Sequence, residues 1–265
     1  MKQKLIWSAQ LLTVGLCALA LKGYYSTATA NDLGWILAPT AALVELLSGK
    51  HFAFESYTGY MSSDRTFVIA VPCAGVNFLI TAFLMLSLRR LWREQFRSIG
   101  WAFLPFAAVL AYVATLIANT ARIWLALELR SRQVAIDGLT GNQLHRVEGV
   151  VVYFSFLLLL FFVMERFESA KGFESANGFE CAKGYGSANG FESARPLRFA
   201  RVLPFPLLIY YATTLGIPLL NGSFREHAFW EHFVFVIVLP LLVVTPVLFW
   251  QLRKSVDSRR TVSRD

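Results

Sequence analysis

The sequence predicts an all-α membrane protein, a single domain over residues 1–265 built as a bundle of six or seven transmembrane helices. Two observations lead to this prediction. The 265 residues are 56% hydrophobic and 16% charged, with a mean hydropathy of +0.51, whereas about a quarter of the residues in a soluble domain are charged. The chain also contains several apolar runs close to the ~20 residues that are needed to cross a bilayer core.

Six apolar runs are predicted to span the membrane, and they cover residues 5–21, 67–88, 101–121, 147–164, 202–220 and 229–250. A further apolar run at 33–47 is shorter and contains Pro39 and Glu45. Its length favours an interfacial or re-entrant segment over a full span. If residues 33–47 are counted, the chain has seven membrane segments; otherwise it has six.

The net charge of +8 indicates membrane orientation rather than nucleic-acid binding, because no basic patch with interleaved aromatic residues lies outside the loops. If the N-terminus is inside, 17 of the 25 Lys and Arg residues fall in the cytoplasmic segments 1–4, 89–100, 165–201 and 251–265. Loops that face the cytoplasm carry such an excess. The sequence therefore predicts cytoplasmic N- and C-termini, the lipid bilayer as surroundings and no nucleic-acid partner.

Residues 167–194 repeat a six-residue unit that begins at Phe167 as Phe-Glu-Ser-Ala-Lys-Gly. Alternating Gly, Ser, Ala and charged residues cannot bury a core, so we expect a flexible, low-complexity cytoplasmic loop. Cys181 lies inside this repeat. Together with Cys17 and Cys73 it makes three cysteines, which are too few and too scattered for a disulfide framework.

The first candidate functional group is the thiol of Cys73, in the stretch Val-Pro-Cys-Ala-Gly-Val-Asn that ends at Asn77. Proline suits the first position of a helix, and the residue before it avoids the helical region. A helix is therefore expected to begin at Pro72, with Cys73 in its first turn, where the helix N-terminus stabilises a thiolate. The alternative is a buried cysteine that acts as a small hydrophobic residue. Asn77 is a supporting candidate.

The second candidate is Arg122, in the motif Asn-Thr-Ala-Arg that begins at Asn119. The predicted span starts near Trp101, and 21 residues at 1.5 Å each reach ~32 Å, about one bilayer core. Arg122 should then lie at the outer interface, at the level of Cys73. An arginine in an apolar run is a functional hypothesis by default, and Asn119 shares its helix face. The alternative is an arginine that extends to lipid headgroups.

The third candidate is His145, at the start of the next span. Asn142 could cap that helix, and Glu148, three residues after His145, could orient the imidazole. Alone, an ordinary interfacial histidine is the simpler interpretation. Together, a thiol, a guanidinium and an imidazole on three helices at one depth suit nucleophilic catalysis. Attack by a thiolate needs a proton partner, and the oxyanion that follows needs hydrogen-bond donors.

The remaining polar residues indicate no other chemistry. Glu226, His227, Glu231 and His232 lack the spacing of a metal site, and we assign His51 no role. No phosphate-binding glycine loop and no nucleophile elbow are present. No metal or other cofactor is predicted.

Three motifs together resemble the exosortase/archaeosortase family. They are the Cys73-Ala-Gly stretch ahead of an apolar helix, the motif Asn119-Thr-Ala-Arg122, and His145 at the head of the next helix. The sequence around Cys73 is most similar to that of the exosortase K branch. The resemblance covers residues 1–165 and extends to the last two spans only in hydropathy. It implies a cysteine protease/transpeptidase in which Cys73 is the nucleophile, His145 is the acid/base and Arg122 stabilises the oxyanion or orients the substrate carbonyl.

The resemblance also implies the partners and the location. The substrates would be exported proteins that end in a sorting signal, made of a short motif, a transmembrane helix and a basic tail. The enzyme would cut this signal and transfer the protein to an acceptor, at the outer (periplasmic) face of a bacterial inner membrane. Many relatives have eight helices, and many carry serine where Ala74 stands here.

Two other classes of function are kept as alternatives. The first is a transporter or channel for a small molecule or an anion, with Arg122 as the binding charge. It requires a polar path, and few polar residues lie at mid-depth in the predicted spans. The second is an assembly protein without catalysis, in which changes at Cys73, Arg122 and His145 should all be mild.

Overall fold

The computed structural model describes residues 2–94, 100–132, 140–180, 203–216 and 233–246, together with positions 219, 230, 249 and 253; at 141, 142 and 168–180 it describes the backbone alone. This part of the chain is mostly helical. The helices are α1 (Lys2–Thr27), α2 (Gly34–Ser48), α3 (Val76–Glu94), α4 (Phe103–Ser131), α5 (Gly141–Glu180), α6 (Pro204–Tyr211) with a π-helical turn at Ala212–Gly216, and a helix at Phe233–Pro246.

Within the described residues, four helical segments are long and apolar enough to cross a membrane, and they are Lys2–Thr27, Val71–Glu94, Phe103–Ser131 and Gln143–Phe167. They contain or overlap the first four predicted spans. In the described part of the chain, α2 and Phe233–Pro246 are shorter apolar helices. The 15 residues of α2 reach roughly 22 Å, less than the ~30 Å of a bilayer core. Six or seven membrane segments are thus not established, and both predicted spans after residue 201 are described only in part.

The start of α3 differs from the prediction. Val71–Ala74 form a 3₁₀ turn with Pro72 at its beginning, and Gly75 ends this turn with a φ of 72°. The Cys73 N–H donates to the carbonyl of Ala70 at 2.8 Å. The α-helix then begins at Val76. The prediction of a helical turn with Pro72 at its start and Cys73 inside it is confirmed, but this turn is 3₁₀, and the left-handed Gly75 separates it from the α-helix.

The prediction of an all-α fold also missed a small sheet. Its antiparallel strands are β1 (Phe52–Glu55), β2 (Gly59–Ser62) and β3 (Val68–Ile69), in the order β1-β2-β3. Gly59 has a φ of 112°, and a side chain there would collide with the carbonyl oxygen of Ile69. Since β3 ends two residues before the 3₁₀ turn, the sheet positions the chain that leads into Cys73.

The predicted loop at 167–194 begins later than expected. Helix α5 continues without a break to Glu180, so the prediction of a loop is wrong for 167–180. Ala, Glu and Lys in the repeat are good helix formers, and extending an existing helix needs no new nucleus. The rest of the repeat, 181–194, lies outside the described residues.

Helix α3 is the central helix of the described bundle. It packs against α1, α4 and α6, and α4 in turn packs against α2 and α5. Large side chains that are fully buried fill the interior, among them Met85 of α3, Ile123 of α4, and Phe154 and Phe161 of α5. The 3₁₀ turn ahead of α3 contacts α2 and α4, and these two helices contribute to the surroundings of Cys73.

Candidate functional site

Cys73 is half-buried on the 3₁₀ turn between β3 and α3. Two helices hold the backbone of this turn. From α4, the Nδ2 of Asn119 donates to the Cys73 carbonyl at 2.5 Å. From α1, the hydroxyl of Tyr25 donates to the Val71 carbonyl at 3.3 Å. The thiol is therefore attached to a short turn that is fixed by side chains from two other elements.

Gly75 allows α4 to lie directly against this turn. A Cβ added at Gly75 would lie 3.2 Å from the Cγ of Asn119 and 3.2 Å from the Cγ2 of Thr115. Its φ of 72° also belongs to the left-handed region, which strains residues that carry a side chain. Backbone conformation and close packing thus both require glycine here, and the close packing brings Asn119 within reach of Cys73.

Arg122 lies one helical turn beyond Asn119 and is buried, with 8% of its surface exposed. Its guanidinium carbon is 5.2 Å from the centre of the Tyr153 ring. Its electrostatic neighbours are Tyr153, Cys73 and Glu148. Helix α4 continues for nine residues past Arg122 to Ser131, and the guanidinium is buried by protein. The alternative of an arginine that extends to headgroups is therefore wrong.

The polar atoms of this cluster include buried groups without a hydrogen-bond partner. They are Nε and Nη2 of Arg122 and Oε1 of Glu148. A buried donor or acceptor that stays unpaired costs about 1–3 kcal/mol, more when it is charged, and native proteins contain few of them. Two arginine donors in such surroundings are suited to receive a carbonyl oxygen or an oxyanion.

His145 is linked to the cluster through Glu148. The Nδ1 of His145 lies 3.6 Å from Oε2 of Glu148, and the side chains are 48% and 4% exposed, respectively. This distance exceeds that of a hydrogen bond, so the contact is electrostatic. Among the described contacts, none joins His145 directly to Cys73. Glu148 thus lies between the exposed imidazole and the buried guanidinium of Arg122.

Asn77 does not join this group. It is exposed at the start of α3, and its Oδ1 accepts a hydrogen bond from the Nζ of Lys22 at 2.8 Å. Asn77 follows the left-handed Gly75, so its side chain turns toward α1 rather than toward α4. The structure therefore gives Asn77 a contact between α1 and α3 instead of one with Cys73.

Tyr153 of α5 is a member of the cluster that the sequence reasoning missed. Its hydroxyl donates to the Oδ1 of Asn119 at 2.8 Å, and its ring stacks on Phe78 with centroids 5.1 Å apart. A signal for it was present, because a tyrosine hydroxyl inside an apolar span must find a hydrogen-bond partner within the protein.

The other polar candidates stay apart from this cluster. No group of three or more His, Cys, Asp or Glu side chains that could hold a metal ion occurs among the residues described. The Nδ1 of His51 lies 2.8 Å from Oε1 of Glu45 near the sheet. Glu226, His227, Glu231 and His232 lie outside the described residues.

No protein-family model, curated protein or solved structure matches this chain. The interpretation of the site therefore depends on its own geometry. A half-buried thiol adjoins a buried guanidinium with two unpaired donors, and a buried carboxylate connects that guanidinium to an exposed imidazole. This arrangement suits nucleophilic attack by sulfur on a carbonyl group.

Proposed function

We propose that this protein is a membrane-embedded cysteine protease/transpeptidase of the exosortase type, which cleaves C-terminal sorting signals of exported proteins and transfers those proteins to an acceptor. One observation carries the proposal. The half-buried thiol of Cys73 adjoins the buried guanidinium of Arg122, whose Nε and Nη2 have no hydrogen-bond partner. A nucleophile and a set of open oxyanion donors are the two requirements of acyl transfer.

In the proposed reaction the sulfur of Cys73 attacks the carbonyl carbon of the scissile peptide bond and forms a C–S bond. The carbonyl oxygen becomes negative and accepts hydrogen bonds from Arg122. The C–N bond then breaks, and the proton from the thiol passes through His145 to the leaving amine. An acceptor nucleophile attacks the resulting thioester, forms a new acyl bond and releases the Cys73 thiol.

The surroundings of His145 support its role as the proton carrier. Its imidazole is half-exposed, beside the buried carboxylate of Glu148, which can orient the ring. The imidazole does not touch Cys73 in the described structure. Catalytic hydrogen bonds are often long before substrate binds, and a peptide between the two side chains would be within reach of both.

We further propose six or seven membrane segments, cytoplasmic termini and a site at the outer face of a bacterial inner membrane. Arg122 lies 19 residues beyond Phe103, the first residue of α4, which is roughly 28 Å along the helix axis. This distance is about the thickness of a bilayer core. Since the basic segment 89–100 precedes α4, the positive-inside rule favours the cluster at the opposite, outer face.

A transporter or channel is the competing proposal, and the unpaired donors of Arg122 favour it as much as they favour an enzyme. The two proposals differ at Cys73. Cys73→Ser should be mild in a transporter and abolish a thiol enzyme, whereas Arg122→Ala should be severe in both.

The test is an in-cell processing assay with a tagged exported reporter that ends in a candidate motif, an apolar helix and an Arg-rich tail. The reporter is expressed with the wild type, Cys73→Ala, Cys73→Ser or His145→Ala, and its size is followed by immunoblot. Cys17→Ala is the matched control, because Cys17 is a free, exposed cysteine on α1. We expect the three site variants to leave the reporter uncut and Cys17→Ala to process it like the wild type.

Equal amounts of folded protein must be confirmed for every variant before the bands are compared. Processing that survives Cys73→Ala would reject the thiol mechanism. Processing lost equally in Cys17→Ala and Cys73→Ala would show that the loss reflects folding rather than chemistry. An intermediate that accumulates as a thioester only when Cys73 is present would identify the covalent step.

A further inference from the structure

We propose that Tyr153 is a positioning residue that holds the Cys73 turn in place through Asn119, and this role rests on the proposed function of Cys73 as the nucleophile. Two hydrogen bonds carry the inference. The hydroxyl of Tyr153 donates to the Oδ1 of Asn119 at 2.8 Å, and the Nδ2 of Asn119 donates to the Cys73 carbonyl at 2.5 Å. The chain of contacts joins α5, α4 and the 3₁₀ turn.

The donor and the acceptor of each of these two hydrogen bonds follow from the groups at their ends. The Cys73 carbonyl can only accept, so the amide nitrogen of Asn119 must face it. The amide oxygen then faces Tyr153, whose hydroxyl must be the donor. Asn119 is 0% exposed, and within the described residues these are its two side-chain hydrogen bonds. Removing the tyrosine hydroxyl would leave a buried amide oxygen unpaired and free the amide to rotate away from Cys73.

Tyr153 also contacts the other half of the site. The guanidinium carbon of Arg122 is 5.2 Å from the centre of its ring, and Phe78 stacks on the same ring with an interplanar angle of 20°. The ring thus contacts Arg122 while its hydroxyl fixes the support of Cys73. The side chain of Tyr153 therefore contacts both the support of the nucleophile and the oxyanion donors. Catalysis requires these two groups to be held in a defined relative position.

The experiment compares Tyr153→Phe with Tyr112→Phe. Both changes keep the ring and remove a hydroxyl that bonds one helix to another element, since the Tyr112 hydroxyl donates to the Trp35 carbonyl at 2.7 Å. The full chain is purified with Cys17→Ala and Cys181→Ala so that Cys73 is the remaining thiol. Alkylation of Cys73 by iodoacetamide is followed by mass spectrometry across a range of pH, alongside thermal unfolding.

We expect Tyr153→Phe to change the alkylation rate by about tenfold and to shift its pH profile, while Tyr112→Phe stays within about twofold of the parent. Asn119→Ala should change the rate in the same direction. Combining it with Tyr153→Phe should add little, because both changes break one chain. Parent-like alkylation of Tyr153→Phe, or equal changes in both tyrosine variants, would overturn the inference.

The reporter assay separates this inference from the proposed function. Alkylation requires no substrate, so it reports the position of the thiol directly. An altered alkylation rate in Tyr153→Phe, with no processing by the wild type, would keep the positioning role while giving the protease no support on that reporter. Processing that depends on Cys73 and proceeds normally in Tyr153→Phe, with parent-like alkylation, would keep the protease and reject the positioning role.

Discussion

Two arginines that are largely covered by protein lie at opposite ends of the helices α3, α4 and α5, and they form different contacts. Arg89, near the end of α3, forms a direct ion pair with Glu165 of α5, and its guanidinium carbon is 4.8 Å from the centre of the Phe161 ring. Arg122 also faces an aromatic ring, that of Tyr153. In the part of the chain described, however, no carboxylate forms a direct ion pair with Arg122; its Nε and Nη2, like the Nε of Arg89, have no hydrogen-bond partner.

This contrast indicates how a structural charge can be distinguished from a functional one. A buried charge whose partner is removed costs about 3–5 kcal/mol, so a chain selected for stability alone would pair both arginines. Arg89 follows that rule. Arg122 departs from it, and such departures are expected where a site awaits a ligand. The charge of Arg122 is offset partly by Glu148 and the ring of Tyr153, while its Nε and Nη2 have no hydrogen-bond partner.

The two arginines can be compared by replacing each with lysine, and we expect the larger effect on processing at Arg122. Lysine keeps the charge and loses the planar fork of donors. Arg122→Lys should lower reporter processing by about 10²–10³-fold, the usual effect of losing an oxyanion donor. Arg89→Lys should leave processing per folded molecule unchanged within about twofold, since a point charge can still pair with Glu165. Initial rates at matched protein levels provide the measurement.

The free energy of unfolding should change more when Arg89 is replaced than when Arg122 is replaced. Arg89→Leu should lower the free energy of unfolding by about 1–3 kcal/mol, because the partly buried carboxylate of Glu165 would lose its ion-pair partner. Thermal unfolding in detergent, read by circular dichroism, measures this change. If Arg122→Lys processes the reporter normally while Arg89→Lys does not, the assignment of the two arginines is reversed and the proposed site is wrong.

A smaller effect should follow from changing the glycine that lets α4 approach the thiol. Gly75 and Gly49 have nearly the same left-handed φ, 72° and 67°, yet only Gly75 has neighbours within 4 Å of an added Cβ. Gly49→Ala should therefore cost only backbone strain, about 1–2 kcal/mol. Gly75→Ala should add displacement of Asn119 and lower processing per folded molecule by about tenfold. Equal effects of both variants would mean that the close packing does not matter for the reaction.

The sequence was sufficient to predict the long helices. Hydropathy located α1, α3, α4 and the membrane part of α5 because a run of apolar residues near bilayer length has few other structures. The limits of the elements were less predictable. Helix α4 extends to Ser131, well past the expected end at 121, because residues beyond Arg122 keep high helix propensity. The strands β1 to β3 have four residues or fewer, too short for a periodic signal.

The candidate site was predictable in part, for a similar reason. Cys73, Arg122 and Glu148 could be identified singly, since a thiol after proline or a charge in an apolar run is conspicuous in a sequence. Their relation depends on tertiary packing that no spacing encodes. Tyr153 bonds Asn119 across 34 residues, and Asn77 turns away to Lys22 although it lies only four residues from Cys73.

The smallest expected effect concerns the exposed loop that leads into the thiol turn. The ammonium group of Lys50, followed by the hydroxyl groups of Ser62 and Thr66, holds the pKa of Asp64 well below its usual 3.8. The ionised Asp64 therefore stabilises the loop at every pH above about 4. This contribution is lost as pH falls below 3.8 and through the lowered pKa of the folded state.

Hydrogen exchange of residues 50–69, corrected for the intrinsic rate, measures this loss at neutral and acidic pH. In the wild type, protection of the loop should fall on acidification, whereas Asp64→Asn should be poorly protected at both pH values. Glu55→Gln is the matched control, because its carboxylate contacts Arg65 at the longer distance of 3.5 Å, whereas that of Asp64 also accepts hydrogen bonds from Ser62 and Thr66. If Glu55→Gln loses as much protection as Asp64→Asn, the loop is stabilised by its overall charge balance and not by Asp64 in particular. If Asp64 is instead decisive, an exposed carboxylate stabilises the approach to a thiol whose immediate support, from Asn119 and Tyr153, is buried and uncharged.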